Sequence, residues 1–274
     1  MIAVVSAAVA VVGVLSWSPG GGAQAAEARA AAQSRLVTLS FNMCGNKCND
    51  GRLGIADHVA DAVLHRRSRP KSVALQEVCA RQAQRIATRL AGAGYHVKHV
   101  PTTHRCDDGS RYGIALAYQG DAAWTRVYDL PNPGRHELRK MVCAKLSAPK
   151  VLACSTHIDF HGDGTRGAQI RRVAKIMTGF KDAGQAAYVG GDFNTEPTSD
   201  QLDPMYRPAY GGGATGVLSE ATGCCTRGGT GTGDGGHKID YVFAVAATFR
   251  TGGTDVVRTG LSDHHKYWAR LILR

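Results

Sequence analysis

The sequence predicts an α/β fold in which two β-sheets pack face to face with helices outside. Three observations carry this. Short β-type segments recur from Arg35 to the end of the chain, two or three helical stripes interrupt them, and no internal repeat or linker divides them. With 274 residues, 43% of them hydrophobic, the chain is ample for one large core, and its 20% charged content argues against global disorder.

Taken in order, residues 36–41 alternate with period two, as a half-buried strand should. Residues 42–51 are rich in Asn, Gly and Cys and read as a loop. Ile55, Val59, Val63 and Leu64 form a helical stripe. Residues 72–76 are a short apolar strand and 81–90 a helix. Strands follow at 114–118, 142–146 and 151–155. Residues 166–180 are an amphipathic helix with Ile170, Val173, Ile176 and Met177 on one face. Residues 187–190 form a strand ending in a Gly pair, and 239–245 and 267–273 are closing strands. Between them, residues 211–236 are Gly-rich without apolar periodicity and read as long surface loop, stapled by Cys224 or Cys225.

The first segment stands apart. Residues 2–15 are apolar except for Ser6 and Gly13, and no Lys or Arg precedes them. A Pro19-Gly20-Gly21-Gly22 breaker follows, then Ala23-Gln24-Ala25, the small-x-small form of a signal peptidase site. The run is shorter than the roughly 20 apolar residues a bilayer span needs. Residues 1–25 are therefore expected to be a removed signal peptide, 26–34 a disordered segment, and 35–274 a single catalytic domain of a secreted, extracellular monomer without stable membrane insertion.

Eight cysteines agree with export, since an even count in an oxidising compartment points to disulfides. Cys143 and Cys154 flank a turn-like tetrad at 147–150, so a cross-strand bridge is expected. Cys44 with Cys48 could close a small loop, and Cys79 with Cys106 would close an intermediate one. Adjacent Cys224 and Cys225 stay unassigned. Zinc is the competing reading, but no pair of CxxC units occurs at finger spacing. Lys and Arg number 33 against 22 Asp and Glu, and no charged side chain lies in residues 1–25, so the whole net charge of +11 belongs to the mature chain. Such a surface attracts polyanions.

Short polar clusters share one placement, each at the end of a β-type run: Asn42; Glu77; Thr156-His157; Gly191-Asp192-Phe193-Asn194; and Lys238-Ile239-Asp240-Tyr241 with Ser262-Asp263-His264. Carboxylates and an amide oxygen suit a hard cation such as Mg²⁺, and histidines beside carboxylates suit proton transfer at a phosphate. Singly, each is weak: a loop Asn caps turns, a lone His is more often structural, and Asp240 can pair with Lys238.

Their succession resembles the endonuclease/exonuclease/phosphatase superfamily, the fold group of deoxyribonuclease I. The match runs from Ser40-Phe41-Asn42 through Leu75-Gln76-Glu77-Val78, Ser155-Thr156-His157 and Gly190-Gly191-Asp192-Phe193-Asn194 to Lys238-Ile239-Asp240-Tyr241-Val242 and Leu261-Ser262-Asp263-His264-His265. The resemblance implies a four-layer α/β sandwich of two mainly antiparallel sheets flanked by helices. It implies that Glu77 is the principal metal ligand, with Asn42 and Asp263 completing or flanking a site for Mg²⁺ (Mn²⁺ or Ca²⁺ as alternatives). Asp192 and Asn194 would orient the attacking water and the scissile phosphate, His264 would face the phosphate with Asp240 polarising it, and His157 would act on the leaving-group side. Arg111 and Tyr112, before a strand, and Arg166, after His157, are candidate substrate contacts.

The superfamily's fold does not choose the substrate. A basic exported chain without a Trp- or Phe-rich hairpin points to a nuclease acting on DNA or RNA, with nucleic acid as the partner. A secreted phospholipase C or sphingomyelinase is the second reading, and a catalytically silent polyanion-binding protein the third.

Overall fold

The computed structural model describes residues 35–274 apart from residue 163. The signal-peptide and disordered-segment readings of residues 1–34 lie outside the described residues. Twelve strands and three α-helices follow one another as β1 (Arg35–Asn42), α1 (Gly54–Leu64), β2 (Ser72–Cys79), α2 (Ala80–Leu90), β3 (Tyr95–Arg105), β4 (Arg111–Gln119), β5 (Ala122–Asp129), β6 (Lys140–Leu146), β7 (Leu152–His157), α3 (Thr165–Asp182), β8 (Ala187–Asp192), β9 (Leu218–Glu220), β10 (Asp240–Val245), β11 (Phe249–Val257) and β12 (Lys266–Leu273).

The strands form two six-stranded sheets, ordered β11-β12-β1-β2-β4-β3 and β5-β6-β7-β8-β10-β9. Pairing is antiparallel except for β1 with β2 and β7 with β8. Those two parallel pairs sit in the middle of their sheets, where both faces are buried.

Strand alternation distributes the core into three apolar layers. Leu39 and Phe41 of β1 point outward onto Ile55 and Val59 of α1 and Ala83 and Ile86 of α2. Leu36 points the other way, into a layer between the sheets shared with Val142, Ala153 and Val242. On the far side, Leu152 and Val189 meet Ile170, Val173 and Met177 of α3. The result is helix, sheet, sheet, helix, the four-layer α/β sandwich expected.

Between the sheets, polar groups near the strand ends pair off: Thr38 with Ser72, and Ser72 with the Tyr188 hydroxyl at 2.9 Å. Gly190 of β8 faces the other sheet at close range. A Cβ there would stand 3.0 Å from Ala74 and 3.3 Å from Ser40, tighter than ordinary contact, so only glycine lets the sheets close this far.

Three of the expected disulfides form, Cys44–Cys48, Cys79–Cys106 and Cys143–Cys154, the last between directly opposed residues of β6 and β7. The Gly-rich stretch differs from expectation. It contains β9, whose Leu218, Ser219 and Glu220 are all buried against β10, and Cys224 bonds to Cys225 rather than stapling the loop elsewhere. The reason is local: three buried residues paired on one side are too few to show a period.

Candidate active site

Strand direction gathers the polar clusters. The parallel pairs β1–β2 and β7–β8 all end on one rim, which brings Asn42, Glu77, His157 and Asp192 there. β10 runs antiparallel to β8 and begins at that rim, with Asp240 opposite Asp192. The turn before β12 delivers Asp263 and His264. A cavity of about 620 Å³ opens at this rim, lined among others by Glu77, Tyr112, His157, Asp192, Asn194, Asp263 and His264.

Backbone geometry is unusual at these points. Glu77 has φ 57°, at a register break between Leu75 and Val78, and Asn194 has φ 48°. Left-handed conformations cost non-glycine residues free energy and concentrate at functional sites. In Glu77 the twist takes the carboxylate out of the strand's alternation.

Asp192 is the hub. Its Oδ2 lies 3.1 Å from Asn42 Nδ2, 3.5 Å from His157 Nε2 and 3.6 Å from His264 Nε2, while its Oδ1 accepts the Asn194 backbone N–H at 2.8 Å. Burial, and then the charge of Asp240, push its pKa upward against the pull of His264 and these hydrogen bonds. His264 donates from Nδ1 to Asp240 Oδ2 at 2.8 Å. Burial opposes charge on that ring, but the carboxylates of Asp240, Asp192 and Asp263 outweigh it and raise its pKa to about 10, so the ring is cationic at neutral pH.

His157 is different. Its Nδ1 lies 2.6 Å from an Arg139 guanidinium nitrogen, which can only donate, so the ring proton must sit on Nε2, facing Asp192. Burial, Arg139 and His264 together hold its pKa well below the ordinary value, and the ring is neutral.

Asn42 flanks Glu77 through its amide nitrogen. Its Nδ2 bridges Glu77 Oε1 at 2.9 Å and Asp192, while its carbonyl oxygen accepts the Cys44 backbone N–H at 3.0 Å. That orientation braces two carboxylates and turns the amide oxygen away from them. Asp263 is half-exposed and pairs with Lys47 at 3.6 Å. Tyr112 faces Glu77 and Glu137, and burial with these charges drives its hydroxyl pKa far upward. Arg111 is exposed and lines a small depression with Thr102 and Thr103 that shares His104 and Arg105 with the cavity. Arg166 does not line the cavity; it donates to the Asn194 carbonyl at 2.8 Å and to Gln201. Lys238 pairs with Glu220 at 2.8 Å, which leaves the Asp240 carboxylate to His264.

A profile of the endonuclease/exonuclease/phosphatase family matches residues 39–264. The chain belongs to that family. Among solved structures, an endonuclease/exonuclease/phosphatase protein from Bacteroides vulgatus superposes with a TM-score of 0.68 at 19% identity, covering 88% of this chain and 99% of its own. The human nocturnin catalytic domain gives 0.68 at 15% identity, with coverage of 88% and 94%. A mannosyl-6-phosphatase from Bacteroides thetaiotaomicron gives 0.64 at 18%, with coverage of 86% and 99%. At these identities the likeness concerns the fold. No curated protein matches the sequence. Family membership makes the chain a phosphoester hydrolase of a group that generally uses a divalent metal.

Several lining residues escape the sequence reading: Lys47, Arg105, Glu137, Arg139 and Phe160. Arg139 is buried and also pairs with Glu137 at 3.2 Å. Nothing in the order of residues distinguishes it from the other Lys and Arg of a basic chain.

Proposed function

We propose that the protein is a secreted, divalent-metal-dependent phosphodiesterase that hydrolyses DNA or RNA. The observation that carries this reading is the convergence on Asp192 Oδ2 of donors from both sheets, next to the His264–Asp240 pair.

The donor set fits a hard cation. Glu77 and Asp263 present carboxylate oxygens to the same cavity, with no free thiol among the described residues to favour a soft metal. They would hold Mg²⁺, with Mn²⁺ or Ca²⁺ as alternatives. The bound ion supplies Lewis-acid neutralisation of phosphate charge. Cationic His264, fixed by Asp240, donates a hydrogen bond to a phosphoryl oxygen and strengthens it as negative charge develops. Asp192, with its raised pKa, takes the proton of the attacking water as the new P–O bond forms; the ester P–O bond breaks with its electron pair on the leaving oxygen, which takes a proton from solvent. Neutral His157 donates from Nε2 and cannot serve as a second cation. Asn194, gripping the Ile158 carbonyl at 2.9 Å, sets the direction of Asp192.

Nucleic acid is favoured by the net charge of +11 and by Lys47, Arg105 and Arg139 around the acidic centre. Export is favoured by the disulfides, and no described helix is long and apolar enough to cross a membrane.

The test is to incubate the purified mature protein with plasmid DNA, RNA, sphingomyelin and phosphatidylcholine in Mg²⁺, Mn²⁺ or Ca²⁺. Cleavage of nucleic acid that a chelator and H264A both abolish is expected. Headgroup release from lipid with nucleic acid left intact would overturn the substrate, and salt-sensitive DNA binding without turnover under every metal would overturn the enzyme.

A further inference from the structure

Phe160 is the most exposed large hydrophobic residue among those described, at 60%, and it stands on the lip of the catalytic cavity. An isolated surface phenylalanine needs no explanation, but this one is built in. Its ring stacks on His161 with centroids 4.0 Å apart and planes 29° apart, and His161 in turn lies 3.6 Å from the ring of His136. Beneath the three rings, buried Asp159 accepts from His161 Nδ1 at 2.6 Å and faces His136 Nδ1 at 3.3 Å.

The turn that carries Phe160 is pinned on both sides of it. Ile158 N–H donates to the Asp192 carbonyl, Asp159 N–H to Gln169 Oε1 at 2.8 Å, and His161 N–H to Asp159 Oδ1 at 2.7 Å. Arg166 bonds the Phe160 carbonyl at 3.4 Å while holding that of Asn194. The backbone that carries the ring is thus tied to the strand end that bears Asp192, and one face of the ring rests against His161. A collapsing hydrophobe would not be held this way.

We infer that Phe160, backed by His161 and His136, is a stacking platform for a nucleobase flanking the phosphate at the Asp192–His264 centre. The inference rests on the nuclease reading above. A pre-fixed ring loses little freedom on binding, and a base offers the flat face that a sugar phosphate lacks. Stacking tolerates any base, so the platform favours nucleic acid without selecting a sequence.

Two measurements test it, on wild type, F160A and F160W. Titration calorimetry in Ca²⁺ compares adenosine 5′-monophosphate with ribose 5-phosphate. Wild type and F160W should prefer the nucleotide, and F160A should lose about 5- to 150-fold of that preference. Cleavage of oligonucleotides carrying one abasic residue at successive positions should then show the F160A deficit narrowing where the missing base adjoins the cut. If wild type binds both ligands equally, or F160A keeps the preference, the platform is wrong whether or not nucleic acid is cut. If no nucleic acid is cleaved but the Phe160-dependent preference is present, the reaction reading fails and the platform stands.

Discussion

Asp240 Oδ2 lies 2.8 Å from His264 Nδ1, and both side chains are nearly closed to solvent, so the imidazole is held cationic and in one orientation. D240N removes the charge while keeping the shape. We expect kcat to fall by about 10²–10⁴-fold, the range that positioned proton-transfer groups supply. KM should change little, and the pKa of His264 followed by NMR should drop towards its ordinary value. A D240N enzyme with unchanged kcat would remove His264 from the chemistry.

Glu77 combines a proposed metal contact with a left-handed backbone. E77A and E77G should both weaken Mg²⁺ binding measured by calorimetry. They differ only in Cβ, and releasing about 1 kcal/mol of backbone strain should let E77G melt about 2–4 °C above E77A in metal-free buffer. Glycine's extra unfolded-state freedom works against this gain by about 0.5–1 kcal/mol, so an E77G that melts well below E77A would show that the φ of Glu77 carries little strain.

His157 makes stability depend on acid. Its folded pKa is depressed, so below about pH 6.5 the unfolded chain binds a proton that the native ring refuses, and stability falls as pH falls. His58 and His99, also depressed by burial, act in the same direction. His264, with its raised pKa, is protonated in both states there and adds no slope; its contribution is lost only as pH rises from about 6.5 through about 10. Asp192, whose raised pKa lets the native carboxyl take up a proton first, opposes this slope, so the test is differential: from pH 6.5 to 5 the melting temperature of the wild type should fall relative to that of H157Q.

Lys238 and Glu220 form a buried ion pair, with the ammonium 3.6 Å from the Tyr241 ring centroid and 4.5 Å from that of Tyr267. K238M would strand the Glu220 carboxylate in the core and should destabilise by about 3–5 kcal/mol in chemical denaturation. Adding E220Q should recover much of that loss. Additive penalties in the double variant would show that the pair is not coupled.

What the sequence made legible follows burial. Every strand with an apolar run was read, whereas β3, β5, β9 and β11 were not, and these are the four sheet edges. An edge strand packs on one side only: β5 buries no residue fully, β3 carries Pro101, and β11 is broken by Gly252 and Gly253 with a register shift between Thr251 and Thr254. The rim residues were visible for the opposite reason, because each polar cluster adjoins the end or the start of a buried run. Arg139 and Phe160 come from connecting segments whose approach to the cavity depends on tertiary packing. The orientation of the Asn42 amide likewise depends on which groups the opposing sheet presents.

Gly190 lets the two sheets meet close to the rim, and Asn42 and Asp192 reach across that seam from opposite sides. Neither sheet owns the proposed reaction centre. A slip of one slab against the other by an ångström or two would leave every strand intact and still dismantle the centre. On gentle heating, turnover should therefore disappear before circular dichroism registers any melting, which makes catalysis the more sensitive gauge of how the slabs are seated.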